Sequence, residues 1–190
     1  MKKHFLLLCC LLLSVVVSGN PVTGLLERIQ KGLSSRFKIE IQASSSQTDY
    51  FELSGGGKQV TVRANNYVSA AFGVNWYLKY YCRTNFSFCE DQLPQLPTDL
   101  PPVNERQATV LADNLYMNYC TFSYTTVFWD WERWEREIDL MALNGITMPL
   151  AMVGTEAVWR NTLLKFGYTN SEIKEFLCGP AYFGWLLMGN

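Results

Sequence analysis

From Arg36 to Gln42 the chain alternates Phe37, Ile39 and Ile41 with Lys38, Glu40 and Gln42, the period of two that sets one face of a strand on a core and the other in water. The alternation returns at Phe51 and Leu53, and again at Val60 and Val62 among Gln59, Thr61 and Arg63. Between these two runs Gly55-Gly56-Gly57 can take positive φ and supply a turn. Tyr67, Ala70, Ala71, Val74, Tyr77, Leu78 and Tyr81 then recur at helical spacing, which predicts a helix over Asn66 to Tyr81 packed across the strands. The unit reads as a small α+β domain over 20–92.

A proline-rich stretch follows. Pro94, Pro97, Pro101 and Pro102 cannot sit in a helix interior or a central strand, so 93–109 is read as a linker and a domain boundary. Beyond it the order changes. Tyr116 to Phe122 reads as a strand, Asp130 to Asn144 as a helix closed by Asn144-Gly145, Ile146 to Met152 as a short strand, and another helix starts near Thr155. Thr169-Asn170-Ser171-Glu172 has the spacing of a capping box; the helix it opens carries Ile173, Phe176 and Leu177 inward, and Gly179-Pro180 stops it. Strand-helix-strand-helix order implies parallel pairing with right-handed crossovers, as at the opening of an α/β sheet or a (β/α) barrel.

The first residues belong to a different category. Lys2, Lys3 and His4 precede an apolar run from Phe5 to Val17 broken only by Ser14, and Val17-Ser18-Gly19 offers small residues for cleavage. That pattern is a secretory signal peptide over 1–19, and the run is shorter than the roughly 20 apolar residues of a membrane span. Cleavage would remove the single histidine together with Cys9 and Cys10, leaving Cys82, Cys89, Cys120 and Cys178. Without histidine there is no Ser-His-Asp or Cys-His nucleophile system and no imidazole metal ligand. In an oxidising compartment four cysteines allow three connectivities. Cys82 and Cys89 form the expected pair because they bracket a short segment, and their spacing matches no zinc pattern. Inside that segment Asn85-Phe86-Ser87 is a glycosylation acceptor.

With 16 Lys+Arg against 17 Asp+Glu in 190 residues, no basic excess marks a nucleic-acid partner. No cofactor or metal is expected, and no membrane span after the signal is removed. Aromatic residues make up 14% of the chain, which suits a core and equally a site that stacks on sugar rings. The aromatic and charged run from Trp131 to Asp139 puts Trp131, Trp134, Ile138, Met141 and Ala142 on one stripe, with the charges mostly outside it. Glu132 and Glu135 lie among arginines on the expected solvent face, so they read as surface ion-pair partners and not as a catalytic carboxylate pair.

The strings NYCTFSYTTVFWDWERWEREIDLMALNGI (Asn118 to Ile146), GTEAVWRNTL (Gly154 to Leu163) and GPAYFGWLLMGN (Gly179 to Asn190) resemble the lysosomal α-N-acetylglucosaminidase family, glycoside hydrolase family 89. The upstream α+β unit is similar to that family's small N-terminal domain. The resemblance implies a (β/α)8 barrel begun at 110–190 and incomplete in this chain. It also implies an exo-glycosidase that removes terminal α-linked N-acetylglucosamine from heparan sulfate by a retaining mechanism, with two carboxylates about 5 Å apart.

On this resemblance the family's two catalytic glutamates lie downstream of Asn190, so no catalytic residue is expected here and the chain alone is expected to be inactive. Asn118, Cys120 and Trp185 match positions that line the family's sugar pocket. Cys120 is then expected to stay unpaired. The competing reading is a secreted carbohydrate-binding or interaction module without catalysis; a β-hexosaminidase-like enzyme, which also sets a small α+β domain before its barrel, is disfavoured by the Trp-rich helix.

Overall fold

The computed structural model describes residues 19–43, 48–87, 91–92, 96–111, 113–151 and 154–177. The signal segment up to residue 18, Cys89, Cys178, the Gly179-Pro180 stop and Trp185 lie outside the described residues. Among the described residues no helix is long and apolar enough to cross a membrane.

Helix α1 (Pro21–Ile29) starts where the Asn20 side chain accepts from the Val22 amide and a proline occupies the first turn, and it buries Val22, Leu25 and Leu26. A 3-10 turn at Leu33–Arg36 leads into β1 (Phe37–Ile41), followed by β2 (Tyr50–Gly57), β3 (Gln59–Ala64) and helix α2 (Tyr67–Tyr80). Two two-residue strands, β4 (Asn85–Phe86) and β5 (Asp91–Gln92), pair antiparallel, and β6 (Leu100–Ala108) completes a four-stranded sheet in the order β1-β3-β2-β6. β1 runs parallel to β3, whereas β2 is antiparallel to both its neighbours.

Strand alternation decides what each face does. Phe37, Val60, Val62, Ala64, Phe51, Leu53 and Val103 are buried beneath α2, which contributes Ala70, Ala71, Val74, Tyr77 and Leu78. On the outer face the register sets Glu40, Arg63, Glu52 and Arg106 side by side, one from each strand, with N–O separations of 2.9, 3.5 and 3.2 Å. Opposite charges directly across strands favour this register over its slips. Exposed pairs of this kind contribute little to stability singly.

The stretch read as a linker over 93–109 is corrected from Leu100 onward, because Leu100–Ala108 is the edge strand β6. Pro101 and Pro102 are tolerated for two reasons. An edge strand leaves one side of the backbone unpaired, and the ladder with β2 shifts register between Gly55 and Gly57, opposite the two prolines. A Cβ on Gly56 would lie 2.9 Å from the Pro102 Cα, so the glycine run makes room for the diproline. The chain reverses at Lys58, not within Gly55–Gly57.

Downstream come β7 (Leu115–Tyr116), α3 (Tyr119–Tyr124), a 3-10 turn at Thr126–Phe128, α4 (Trp131–Leu143), β8 (Met148–Pro149), α5 (Thr155–Lys165) and α6 (Asn170–Phe176). β7 and β8 pair in parallel, Leu115 with Met148 and Tyr116 with Pro149, across the crossover that contains α4. The expected strand over Tyr116 to Phe122 is corrected: only Leu115–Tyr116 is paired as a strand, and the chain turns into a helix after Asn118, whose carboxamide oxygen accepts from the Thr121 amide. The strand expected over Ile146 to Met152 is likewise reduced to Met148–Pro149. Gly145 at φ 70° ends α4 as expected, and the capping box of Thr169 and Glu172 is formed in full. Phe176, expected to point inward, is exposed.

The largest correction concerns α4. Its buried residues are Glu137, Asp139, Leu140, Met141 and Leu143, whereas Trp131 and Ile138, assigned to the inward stripe, are exposed. Leu140 and Leu143 join the core under α2, where Asn75 Nδ2 donates to the Leu143 carbonyl at 2.8 Å. Arg28 of α1 grips Asp139 through two hydrogen bonds of 2.8 and 2.6 Å. The helix is therefore tied to the N-terminal sheet unit by charge as well as by apolar packing.

Candidate functional site

Parallel strands deliver their side chains to the face at their C-terminal ends, where the sites of α/β folds are built. At that end of β7, Tyr116 is followed by Met117 in the left-handed region at φ 67° and by Asn118 as the N-cap of α3. A non-glycine residue at such a φ costs on the order of 1 to 3 kcal/mol and persists only where its surroundings hold it. Asn118 is exposed, and its Oδ1 accepts from the Thr121 amide at 3.1 Å and from the Thr121 hydroxyl at 3.2 Å. Its carboxamide is thus oriented by its own helix.

One residue into α3, Cys120 is a half-buried free thiol. The thiol beside it raises the Tyr119 phenol above its ordinary value. The third residue expected here, Trp185, lies outside the described residues. The structure accordingly brings Asn118 and Cys120 together on one turn of helix.

The other residues singled out by sequence are elsewhere. Asn85 is exposed on β4, as a glycan acceptor must be. Cys82 carries a free thiol, half-buried, and burial pushes it up from its ordinary pKa; Cys89, its expected partner, is outside the described residues. Glu132 is exposed, and Glu135 comes no nearer than 3.9 Å to Arg28. Among the described residues no cluster of His, Cys, Asp and Glu is arranged to hold a metal ion.

Two charged groups near this face escaped the sequence reading. Glu137 is 1% exposed, an extreme burial for a carboxylate. Its Oε1 accepts from the Tyr116 hydroxyl at 2.9 Å, and its Oε2 lies 2.8 Å from Arg133 Nη2. That second contact is an ion pair without hydrogen-bond alignment, since Oε2 and Arg133 Nη1 are both left without a hydrogen-bond partner. Burial, reinforced by the Glu137 carboxylate, pushes the Tyr116 phenol up to about 12. The only hint in the sequence is the four-residue spacing of Arg133 and Glu137.

A cleft of about 310 Å³ lies away from this face. Phe72, Trp76, Gln107, Asn114 and Asn144 line it. Asn114 precedes β7 and Asn144 follows α4, which puts the cleft at the opposite end of the strand pair.

Comparison with known proteins now bears on this geometry. Residues 20–102 match the family model for the alpha-N-acetylglucosaminidase N-terminal domain, and residues 114–190 match the model for the same family's tim-barrel domain. Human alpha-N-acetylglucosaminidase is 42% identical over 165 residues, which is 84% of this chain and 22% of that protein. Among solved structures, a family 89 glycoside hydrolase from Clostridium perfringens in complex with 2-acetamido-1,2-dideoxynojirmycin superposes with a TM-score of 0.81 at 39% identity, covering 90% of this chain and 20% of that one.

A variant of the Clostridium perfringens enzyme with two glutamates changed to glutamine, in complex with its substrate GlcNAc-alpha-1,4-galactose, gives the same TM-score of 0.81. The class that fold and matches define together is the family 89 glycoside hydrolases. Within it, the chain belongs to the alpha-N-acetylglucosaminidase family. It spans about a fifth of the length of these relatives, 22% and 20% respectively.

Proposed function

We propose that this chain supplies the N-terminal domain and the first strand-helix units of a (β/α)8 glycosidase that removes terminal α-linked N-acetylglucosamine from heparan sulfate-type glycans. The reaction would follow the retaining two-carboxylate course. One observation carries this reading: the Asn118-capped helix with Cys120 on its first turn stands at the C-terminal end of a parallel strand, inside the segment matched by the tim-barrel family model. An exposed carboxamide there can accept from and donate to sugar hydroxyls, and Trp185 would add an indole face for stacking.

The chain by itself is expected to hold part of the sugar pocket without the catalytic carboxylates. Glu132 is exposed on the helix surface, and Glu137 is buried between Tyr116 and Arg133, so neither is placed to attack an anomeric carbon. The same reading sends the chain through the secretory pathway to a lysosomal or extracellular location. It cleaves the segment 1–19, glycosylates Asn85 and pairs Cys82 with Cys89.

The test uses the purified chain. Calorimetric titration with 2-acetamido-1,2-dideoxynojirmycin is expected to show binding that Asn118→Ala and Trp185→Ala abolish, with no hydrolysis of an aryl α-N-acetylglucosaminide. Turnover of that glycoside would overturn the proposed inactivity. Glycan binding retained by both variants would instead favour a non-catalytic module on the N-terminal sheet unit.

A further inference from the structure

A carboxylate that is 1% exposed costs several kcal/mol to desolvate, and a buried ion pair seldom repays that cost in stability. Glu137 sits at the meeting point of two routes to the same short segment. Along the first, its Oε1 holds the Tyr116 hydroxyl at 2.9 Å, and Tyr116 is the last residue of β7, two positions before Asn118. Along the second, its Oε2 lies 2.8 Å from Arg133. The Arg133 guanidinium lies 4.0 Å from the centre of the Trp129 ring, which meets Trp134 edge-on at 4.9 Å. Trp134 in turn stacks on Phe122 of α3 at 6.2 Å, with the rings 12° from parallel.

The segment between these anchors cannot hold itself. α3 has six residues, far below the length at which an isolated helix is stable, and Met117 ahead of it is in the left-handed region at φ 67°. We propose that Glu137 and Arg133 are positioning residues which fix the Asn118–Cys120 turn from both ends, through Tyr116 on one side and the Trp129-Trp134-Phe122 stack on the other. That this turn lines a sugar pocket rests on the function proposed above. The positioning itself is a property of the chain and is measured without sugar.

The readout is the rate of Cys120 alkylation by iodoacetamide, followed by peptide mass spectrometry so that Cys120 is counted separately from every other cysteine of the chain. Glu137→Gln and Arg133→Lys are each expected to speed Cys120 modification by about tenfold, the first by weakening the charge-assisted hydrogen bond from Tyr116 and the second by disturbing the ion pair and the guanidinium's contact with Trp129. Tyr116→Phe removes only a hydroxyl and is expected to act in the same direction, which keeps the test open if a charge variant does not fold. Asp139→Asn, two residues along the same helix, weakens the clasp to Arg28 and is expected to lower the thermal midpoint while leaving the Cys120 rate where it is.

Unchanged Cys120 rates in the Glu137, Arg133 and Tyr116 variants would overturn the proposal. So would an equal acceleration in Asp139→Asn, which would reduce the effect to general loosening of α4. Protection of Cys120 by 2-acetamido-1,2-dideoxynojirmycin is scored separately. Its absence alongside accelerated variants would count against the sugar pocket and leave the positioning role supported.

Discussion

Replacing Arg28 by Met tests the clasp between the N-terminal unit and the first strand-helix unit. The substitution keeps most of the apolar stem and removes both hydrogen bonds to Asp139, at 2.8 and 2.6 Å. Asp139 keeps only 12% of its side-chain exposure, whereas Arg28 keeps 43%. Stranding a fully buried carboxylate costs about 3 to 5 kcal/mol, and breaking a fully exposed pair costs about 0 to 1. With one partner buried and the other nearly half in water, the expected loss is about 2 kcal/mol.

For a chain of this size each kcal/mol moves the midpoint by about 2 to 4 °C, so thermal unfolding followed by far-UV circular dichroism should show a drop of about 4 to 8 °C. Asp139→Asn should cost less, because Asn still presents an oxygen to Arg28 and the one charge left, the guanidinium, is nearly half in water. The double variant isolates the pair, with an expected coupling of about 1 kcal/mol or more. A drop below about 1 °C in Arg28→Met would refute the reasoning, since it would mean that water solvates Asp139 once the guanidinium is gone.

Three further outcomes follow from other parts of the molecule. Gly73→Ala places a Cβ 2.9 Å from the Phe51 Cγ in a buried contact, and chemical denaturation should show a loss of about 1 to 3 kcal/mol. At the sheet edge the Tyr81 hydroxyl, then the Gln107 amide, hold the Glu105 carboxyl below its ordinary range. Its contribution is therefore full above the unfolded-state pKa and lost as pH falls through the lower folded one. Tyr81→Phe should flatten the acid limb of a stability-against-pH curve below about pH 5, and an unchanged limb would contradict the assignment. Expressed through a secretory pathway, the parent chain should carry a glycan that an endoglycosidase removes, and Asn85→Gln should run at the deglycosylated size; identical mobility before and after treatment counts against occupancy.

Much of the N-terminal sheet is legible because one face of its strands is wet. Phe37, Val60 and Val62 alternate with charged or hydroxyl-bearing neighbours, and the structure buries the first set while the second forms the outer ladder. β6 is concealed because its prolines read as breakers. Only the register shift opposite Gly56, a tertiary feature, makes an edge strand of them. α1 gives a weak signal for a similar reason, since nine residues with three buried are marginal as a helix until the sheet covers them. Alternation also suggests a strand from Tyr116 to Phe122, but a side-chain hydrogen bond at Asn118 competes with the ladder and turns the backbone into a helix.

The site is harder to read because α4 is covered on two sides. Successive helical residues are about 100° apart, so Glu137 and Asp139 differ by about 200° and face opposite ways. Asp139 reaches back to Arg28 and the N-terminal unit, and Glu137 reaches forward to Tyr116 and the strand that carries Asn118. A single apolar stripe is the signature of a helix with one wet face. This helix is wet at Trp131, Glu132 and Ile138 but covered on two flanks, and the narrow contacts on those flanks are made by carboxylates with fixed partners. The sequence shows both carboxylates and both arginines, yet the partners Arg28 and Tyr116 are 111 and 21 residues away. Charge in this helix is therefore misassigned to solvent by any rule that looks only along the helix. Its two buried acids carry separate duties: Asp139 fastens the unit to its neighbour, and Glu137 aligns the turn on which Asn118 and Cys120 stand.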